Sequence, residues 1–459
     1  MRSRHAALVG VVALAIVVRL AGIDHRLTPD EGYTWLVASA SSAGSFLHRL
    51  AVYENTPPLY YLLLAPLALN DEPWIRLPSL IAGVTMVPIL YAIVRPGLGA
   101  RVALLSALGL AVAPYAVADS SFGRGFMVAD LALLVAVWGA VRLADGGSWR
   151  WWLPYGAGAG AATSSEYDAA TPLVALGLAL VVLTRLTPPT RTPRWRTLAL
   201  AALPALSFVP WLPQLARSLH QLDVTKAGGG YLTVNPGSVR DQLVTAFYGE
   251  TGKDASAVAR SLALLALIGG LAYGARAMRR AGARERPLLV ILAWCGLGTL
   301  LLHALAPAVG VGIFDVGYLT FLIPVGLIGL ARAVAAVPIR VLVPVASLAL
   351  VLAGAGLTIK RMRSDAEPDP HALSTRLDRE GAKTILTNSA VIAYYLRGRH
   401  PILDRPFNIG EDRERDCSGC VGPIAVVDDA GVGSGARPGP GRVTRIGHYV
   451  VRVVPRTGR

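Results

Sequence analysis

Asp30 and Glu31, in Thr28-Pro29-Asp30-Glu31, set two carboxylates just past the end of the first hydrophobic segment. In the same loop follows Glu54-Asn55-Thr56-Pro57-Pro58-Leu59-Tyr60-Tyr61. A carboxylate in that position can take a proton from an attacking hydroxyl, which points to carboxylate chemistry at a membrane surface. Like charges this close raise the pKa of one partner, so the two acids can exchange roles. The pair also reads as a solvated helix cap, with Asp30 capping a helix through Tyr33, Trp35 and Val37. Cations stand further along: Arg76 in Trp74-Ile75-Arg76-Leu77-Pro78-Ser79, and Arg124 in Ser120-Ser121-Phe122-Gly123-Arg124-Gly125-Phe126. Each of these arginines reads equally as a snorkelling anchor at a helix end.

The elements that must hold these residues are membrane helices. With 53% hydrophobic and 16% charged residues, and a mean hydropathy of +0.50, the chain is too apolar for a soluble domain. Apolar runs near 6–23, 77–94, 102–119, 125–143, 151–166, 169–186, 197–215, 258–275, 287–306, 316–334 and 339–358 give about eleven candidate spans. The first run carries Arg19 near its end and lacks a small-residue cleavage site, so it reads as a retained helix. Residues 57–69 open on Pro-Pro and are too short to span, which predicts an interfacial or re-entrant helix. The net charge of +15 sits in short loops, among them Arg95 and Arg101, Arg142 and Arg150, and Arg276 to Arg286, where it records topology; no nucleic acid is needed to explain it. This pattern puts the N-terminus in the cytoplasm and the first acidic loop outside, and reading 57–69 as a span would break it.

An odd number of spans places the tail after Lys360 outside. Its short apolar runs Thr384–Leu386, Ile424–Val427 and Tyr449–Val454, a helix-like stretch capped by Asn388, and Pro/Gly-rich joints over 431–441 predict a small α/β domain. The fold class is therefore an all-α polytopic membrane protein over 1–360 with a small extracytoplasmic α/β domain over 361–459. Cys417 and Cys420 form a single C-x-x-C, poor evidence for zinc and readable as a local disulfide or as an adventitious pair of thiols.

Arg19, Pro29-Asp30-Glu31, Pro57-Pro58-Leu59-Tyr60-Tyr61, Arg76-Leu77-Pro78-Ser79 and Arg124, in this order and spacing, resemble the membrane glycosyltransferases of the GT-C type. The resemblance is to the dolichyl-phosphate-mannose protein mannosyltransferase-like and RgtA/B/C/D-like group. Its motifs cover about residues 15–145. It implies a helical bundle with interfacial helices in the first outer loop, a sugar donor carried on a polyprenyl phosphate, and Asp30 as the base, with Glu31 orienting it or binding a sugar hydroxyl. It also implies that Pro57, Pro58 and Tyr60 wall the donor site. A phosphate leaving group needs positive charge from arginine or a divalent metal rather than a second carboxylic acid. The chain departs from the family at three points: Thr56 stands where His or Lys is common, Phe122 where Glu is common, and Gly317 replaces Arg in Asp315-Val316-Gly317-Tyr318-Leu319. Phosphate is then expected to fall to Arg124, Arg76, Arg49 or His48.

Weaker clusters remain. Glu166-Tyr167-Asp168 reads as a sugar contact or as a polar hairpin, favouring the hairpin. The outer loop 216–257, with Tyr231 and Tyr248, reads as an acceptor-binding lid or a plain loop; Tyr318 reads as a further acceptor or sugar contact. His303 reads as a structural histidine or a substrate contact. The expected activity is transfer of mannose or another hexose or pentose to a protein, lipid or polysaccharide hydroxyl on the outer face of the cytoplasmic membrane, among membrane lipids. The alternatives are a lipid-linked-glycan flippase and a non-catalytic glycolipid-binding homologue; against a transporter, the apolar segments hold few ionisable residues near their centres.

Overall fold

The computed structural model describes residues 2–186 apart from 55, 69–71 and 146, scattered positions between 199 and 276, then 285–305 and 319–336. Beyond these it describes helical positions within 373–395 and the strands between 384 and 454. Contacts group the chain into two compact units, neither continuous in sequence: 1–24, 56–60 and 76–362 form one, and 25–55, 61–75 and 363–459 the other.

The first unit is helical. Among the described residues its helices are α1 (Arg2–Gly22), most of α5 (Glu72–Val112), α6 (Pro114–Ser120), α7 (Phe126–Ala144), α8 (Trp152–Ser165), α9 (Ala170–Leu186), α10 (Arg286–Leu305) and α11 (Leu322–Ala336). Three of them, over 5–22, 72–112 and 126–144, are long and apolar enough to cross a membrane, and 170–183, 287–303 and 322–335 are shorter apolar helices. The chain is a polytopic membrane protein. The expected spans at 77–94 and 102–119 are joined in α5, where Gly99 alone leaves helical geometry with φ 84° and ψ 164°. Only glycine adopts that positive φ without strain, so the kink between the two helices rests on it. The second span also ends sooner than its apolar run: Pro114, at the first turn of α6, has no N–H to return to Leu110, and the helix stops at Val112.

That stop leaves carbonyls that need donors, and a buried arginine supplies them. Arg19, fully buried on α1, donates to the carbonyl of Ala111 at 2.7 Å, to that of Leu110 at 3.2 Å and to Ser120 Oγ at 2.9 Å. Helices α7 and α8 meet through glycines. A Cβ on Gly139 would fall 2.6 Å from the Tyr155 backbone nitrogen, and one on Gly158 2.6 Å from the Ala132 carbonyl. Backbones this close are the means by which helices associate where lipid replaces water.

In the second unit α2 (Pro29–Ala38) and α3 (Ala43–Tyr53) pack around Val37, Leu50 and Tyr61, flanked by Phe46 and Tyr53. The segment expected to be interfacial holds α4 (Leu59–Leu64), whose first two residues belong to the first unit; at six residues it is about 9 Å long, far short of a span. The C-terminal strands β1 (Thr384–Thr387), β2 (Ile402–Leu403), β3 (Ile424–Asp429), β4 (Arg442–Ile446) and β5 (Tyr449–Val454) make one mixed sheet in the order β2-β1-β3-β5-β4. β1 runs parallel to β2 and β3, while β5 runs antiparallel to β3 and β4. The span expected at 339–358 falls outside the described residues, as do most of 258–275 and Asn388, Cys417 and Cys420, whereas 197–215 is described at 199, 202, 203 and 206–214, all of them helical.

Candidate active site

The acidic pair belongs to the second unit, and the structure separates its members. Thr28, not Asp30, is the N-cap of α2, with Pro29 opening the helix; this corrects the expectation that Asp30 caps it. Thr28 accepts from the Glu31 backbone N–H at 3.3 Å, and Glu31 Oε2 accepts from the Thr28 backbone N–H at 2.9 Å and from its hydroxyl at 3.2 Å. This capping box satisfies helix-end donors reciprocally and takes Glu31 fully out of solvent. Asp30, one residue earlier, is exposed. Within the same unit Arg49 donates to the Leu36 carbonyl at 2.7 Å and approaches Ser39 Oγ at 3.4 Å, serving the C-terminal end of α2, while His48 is exposed.

The first unit brings together the Pro-Pro segment, the Arg76 motif and the Arg124 loop. Their hub is Ser79, a buried hydroxyl on α5 that donates to the Arg124 carbonyl at 2.9 Å. With its single proton spent there, Ser79 Oγ accepts from the Tyr60 hydroxyl 3.0 Å away. Tyr60 is buried beside the buried Pro57 and half-buried Pro58, and Thr56 is tied from a later helix by Gln214, whose amide donates to its carbonyl at 3.2 Å. Arg76 is fully buried and donates to the Ile23 carbonyl at 2.8 Å, closing the end of α1. Arg124 is half-buried. Beside it, Gly125 begins α7, and a Cβ there would sit 2.6 Å from a carboxylate oxygen of Glu166, so this buried acid lies against the start of that helix.

The Glu166-Tyr167-Asp168 turn is a tight connection: Tyr167 and Asp168 carbonyls accept from the Ala170 and Thr171 N–H groups at 3.1 and 3.0 Å. Burial, and then the nearby Asp130, push the Asp168 carboxyl above the ordinary carboxylate range. Asp130 itself, buried on α7 and hydrogen-bonded to Thr320, escaped the sequence reading; a lone aspartate inside the 125–143 apolar run was the signal for it. His303 is fully buried on α10, its Nδ1 2.9 Å from the Thr299 carbonyl and 3.4 Å from Thr171 Oγ1. A carbonyl only accepts, so Nδ1 carries the proton. Tyr231, Tyr248 and Tyr318 lie outside the described residues. Among the described residues no three His, Cys, Asp or Glu side chains stand close enough to hold a metal ion.

Residues 54–213 match the sequence profile of the dolichyl-phosphate-mannose-protein mannosyltransferase family. The fold is that of ArnT from Cupriavidus metallidurans: its apo structure superposes with a TM-score of 0.64 over 98% of each chain at 17% identity. Its undecaprenyl phosphate complex superposes at 0.63 over 97% of each chain, again at 17% identity. The oligosaccharyltransferase AglB of Archaeoglobus fulgidus, in complex with an inhibitory peptide and a dolichol-phosphate, matches at 0.51 and 15% identity over 88% of this chain and 61% of its own. No curated protein matches the sequence. The profile covers Pro57-Pro58, Arg76 and Arg124 of the resemblance drawn from the sequence and leaves Asp30 outside it, and the fold agrees with that resemblance.

Proposed function

We propose that this chain, which has the GT-C fold of ArnT and carries a segment of the mannosyltransferase profile, is a membrane glycosyltransferase. It moves a mannose, another hexose or a pentose from a polyprenyl phosphate to a hydroxyl of a protein, lipid or polysaccharide. The work is done at the outer face of the cytoplasmic membrane, with the N-terminus inside and the C-terminal α/β domain outside. Complexes of the structural neighbours with undecaprenyl phosphate and dolichol-phosphate support that donor class.

The observation that carries the reading is the Ser79 hub, which binds the three donor-side motifs into one wall through Tyr60 and the Arg124 backbone. Asp30 takes the proton of the acceptor hydroxyl as its oxygen attacks the anomeric carbon. The bond from that carbon to the phosphate oxygen breaks, and the phosphate leaves as an anion. Arg124 meets the charge that develops on it, since a charge-assisted contact is worth most where it strengthens in the transition state. Arg76, Arg49 and His48 are the further candidates for binding the phosphate. Pro57, Pro58 and Tyr60 shape the donor wall, and Glu166, Asp168, Tyr231, Tyr248 and Tyr318 meet sugar or acceptor hydroxyls. Glu31, occupied by Thr28, fixes the start of α2 rather than moving a proton itself.

Purified protein supplied with polyprenyl-phosphate mannose, hexose and pentose tests this by sugar transfer and donor hydrolysis. Asp30→Asn lowers turnover on the order of 100-fold or more, and Arg124→Ala does so on the order of 100-fold. Wild-type turnover in Asp30→Asn refutes Asp30 as the base. Movement of the lipid across vesicles with no reaction hands the site to a flippase.

A further inference from the structure

The start of α2 is held by a residue from the far end of the chain, 368 positions away. Leu27, buried at 1% exposure, donates its backbone N–H to the Tyr395 hydroxyl at 3.1 Å. The same phenol is hydrogen-bonded to the side chain of Glu72, which opens α5. A phenolic oxygen has one proton to give and lone pairs to accept with, and here Tyr395 uses both: it receives from Leu27 and gives to the Glu72 carboxylate. Burial, then the bond to Glu72, push the phenol above its ordinary range, so that proton stays in place through physiological pH. Next to it, Tyr394, 3% exposed, meets Trp35 on the body of α2 edge to face, ring centroids 5.3 Å apart at 87°. The two tyrosine rings meet each other likewise at 5.1 Å and 87°. All of these residues belong to the second unit.

We infer that Tyr395 and Tyr394 are positioning residues for the acidic helix, a clasp that fastens both ends of the 27–72 segment through one hydroxyl and orients α2 through one ring. The inference rests on Asp30 acting as the base. Its consequence is that a residue of the C-terminal domain sets the aim of a carboxylate on the first outer loop. A misaim of about 1 Å is enough to cost a transfer reaction much of its rate.

The test uses full-length protein carrying Tyr395→Phe, which keeps the ring and removes only the hydroxyl, alongside Val391→Ala and Asp30→Asn. Val391 is buried in the same stretch at 3% exposure and carries no polar side-chain group, so its truncation reports stability. Tyr395→Phe is expected to lower kcat about tenfold, with the donor KM within about twofold, and to speed amide exchange at residues 27–31. Val391→Ala is expected to lower the unfolding midpoint and leave kcat unchanged at temperatures where it is folded. Unaltered exchange at 27–31 in Tyr395→Phe overturns the clasp whatever the activity does. Wild-type kcat in Tyr395→Phe, with Asp30→Asn inactive, overturns its positioning role while the base stands. Wild-type kcat in Asp30→Asn removes the base, and exchange at 27–31 then decides the clasp by itself.

Discussion

At the scale of single residues, the charges that the sequence offers as one catalytic set divide into different occupations. Asp30 faces solvent, whereas Glu31 is closed into a capping box and Arg19 into the end of α5. For Glu31 this separates stability from catalysis. Glu31→Gln keeps an oxygen that can accept from Thr28 and is expected to leave the unfolding midpoint nearly unchanged, while Glu31→Ala costs about 1 kcal/mol; thermal denaturation in detergent checks both. Arg19→Ala exposes no new surface to water but strips donors from the Leu110 and Ala111 carbonyls in an apolar interior. It is expected to cost roughly 2–5 kcal/mol by the same measurement. Arg19→Lys recovers only part of this, because a single ammonium cannot reproduce the guanidinium fork. These occupations were half legible. Thr28-x-x-Glu31 is a capping-box pattern on its face, yet two adjacent acids draw attention to chemistry first. What Arg19 and Arg76 bind could not be read, because carbonyl partners leave no mark in side-chain sequence.

At the scale of elements, long apolar runs announced α1, α7, α8, α9 and α10 to within a few residues, since a bilayer demands lengths that little else produces. The end of α5 was misjudged because hydrophobicity continues through 113–118 while the missing N–H of Pro114 does not register on a hydropathy scale. β2 has two residues, too few for a periodic pattern, and in β4, at the other edge of the sheet, Arg442 and Arg445 interrupt the apolar residues. The α7–α8 contact yields a paired prediction. Gly139→Ala drives a methyl into the Tyr155 backbone and is expected to destabilise by on the order of 2 kcal/mol or more. Gly160→Ala on α8 meets nothing within 4 Å and is expected to be neutral or to stabilise by up to about 1 kcal/mol through helix propensity. Equal losses in both variants would mean that α7 and α8 do not meet through Gly139.

At the scale of the whole molecule, charge asymmetry supports the proposed topology, on which apolar length alone is silent: basic loops inside, acidic loops and the 361–459 domain outside. A membrane-impermeant label on a cysteine placed near residue 459, in the chain lacking its native cysteines, is therefore expected to react in intact cells, and one near residue 2 only after permeabilisation. The reverse result would invert every loop and remove Asp30 from the outer face. The two compact units were not legible in this form, because the bonds from Leu27 to Tyr395 and from Trp35 to Tyr394 join segments that no local pattern connects.

Arg19 also dictates an order of events during synthesis. Its partners on α5 and α6 are translated about ninety residues after it, so α1 must enter the bilayer with its guanidinium unserved. A lone arginine there costs roughly 3 kcal/mol at a helix centre and less toward an end, and Arg19 lies in the last turn, where it can reach up to the headgroups. Only when the chain returns through Ala111 and Ser120 can that arginine be drawn down into the protein. Helix α1 is thus locked only after α5 and α6 have followed it, as the Arg124 loop is about to emerge.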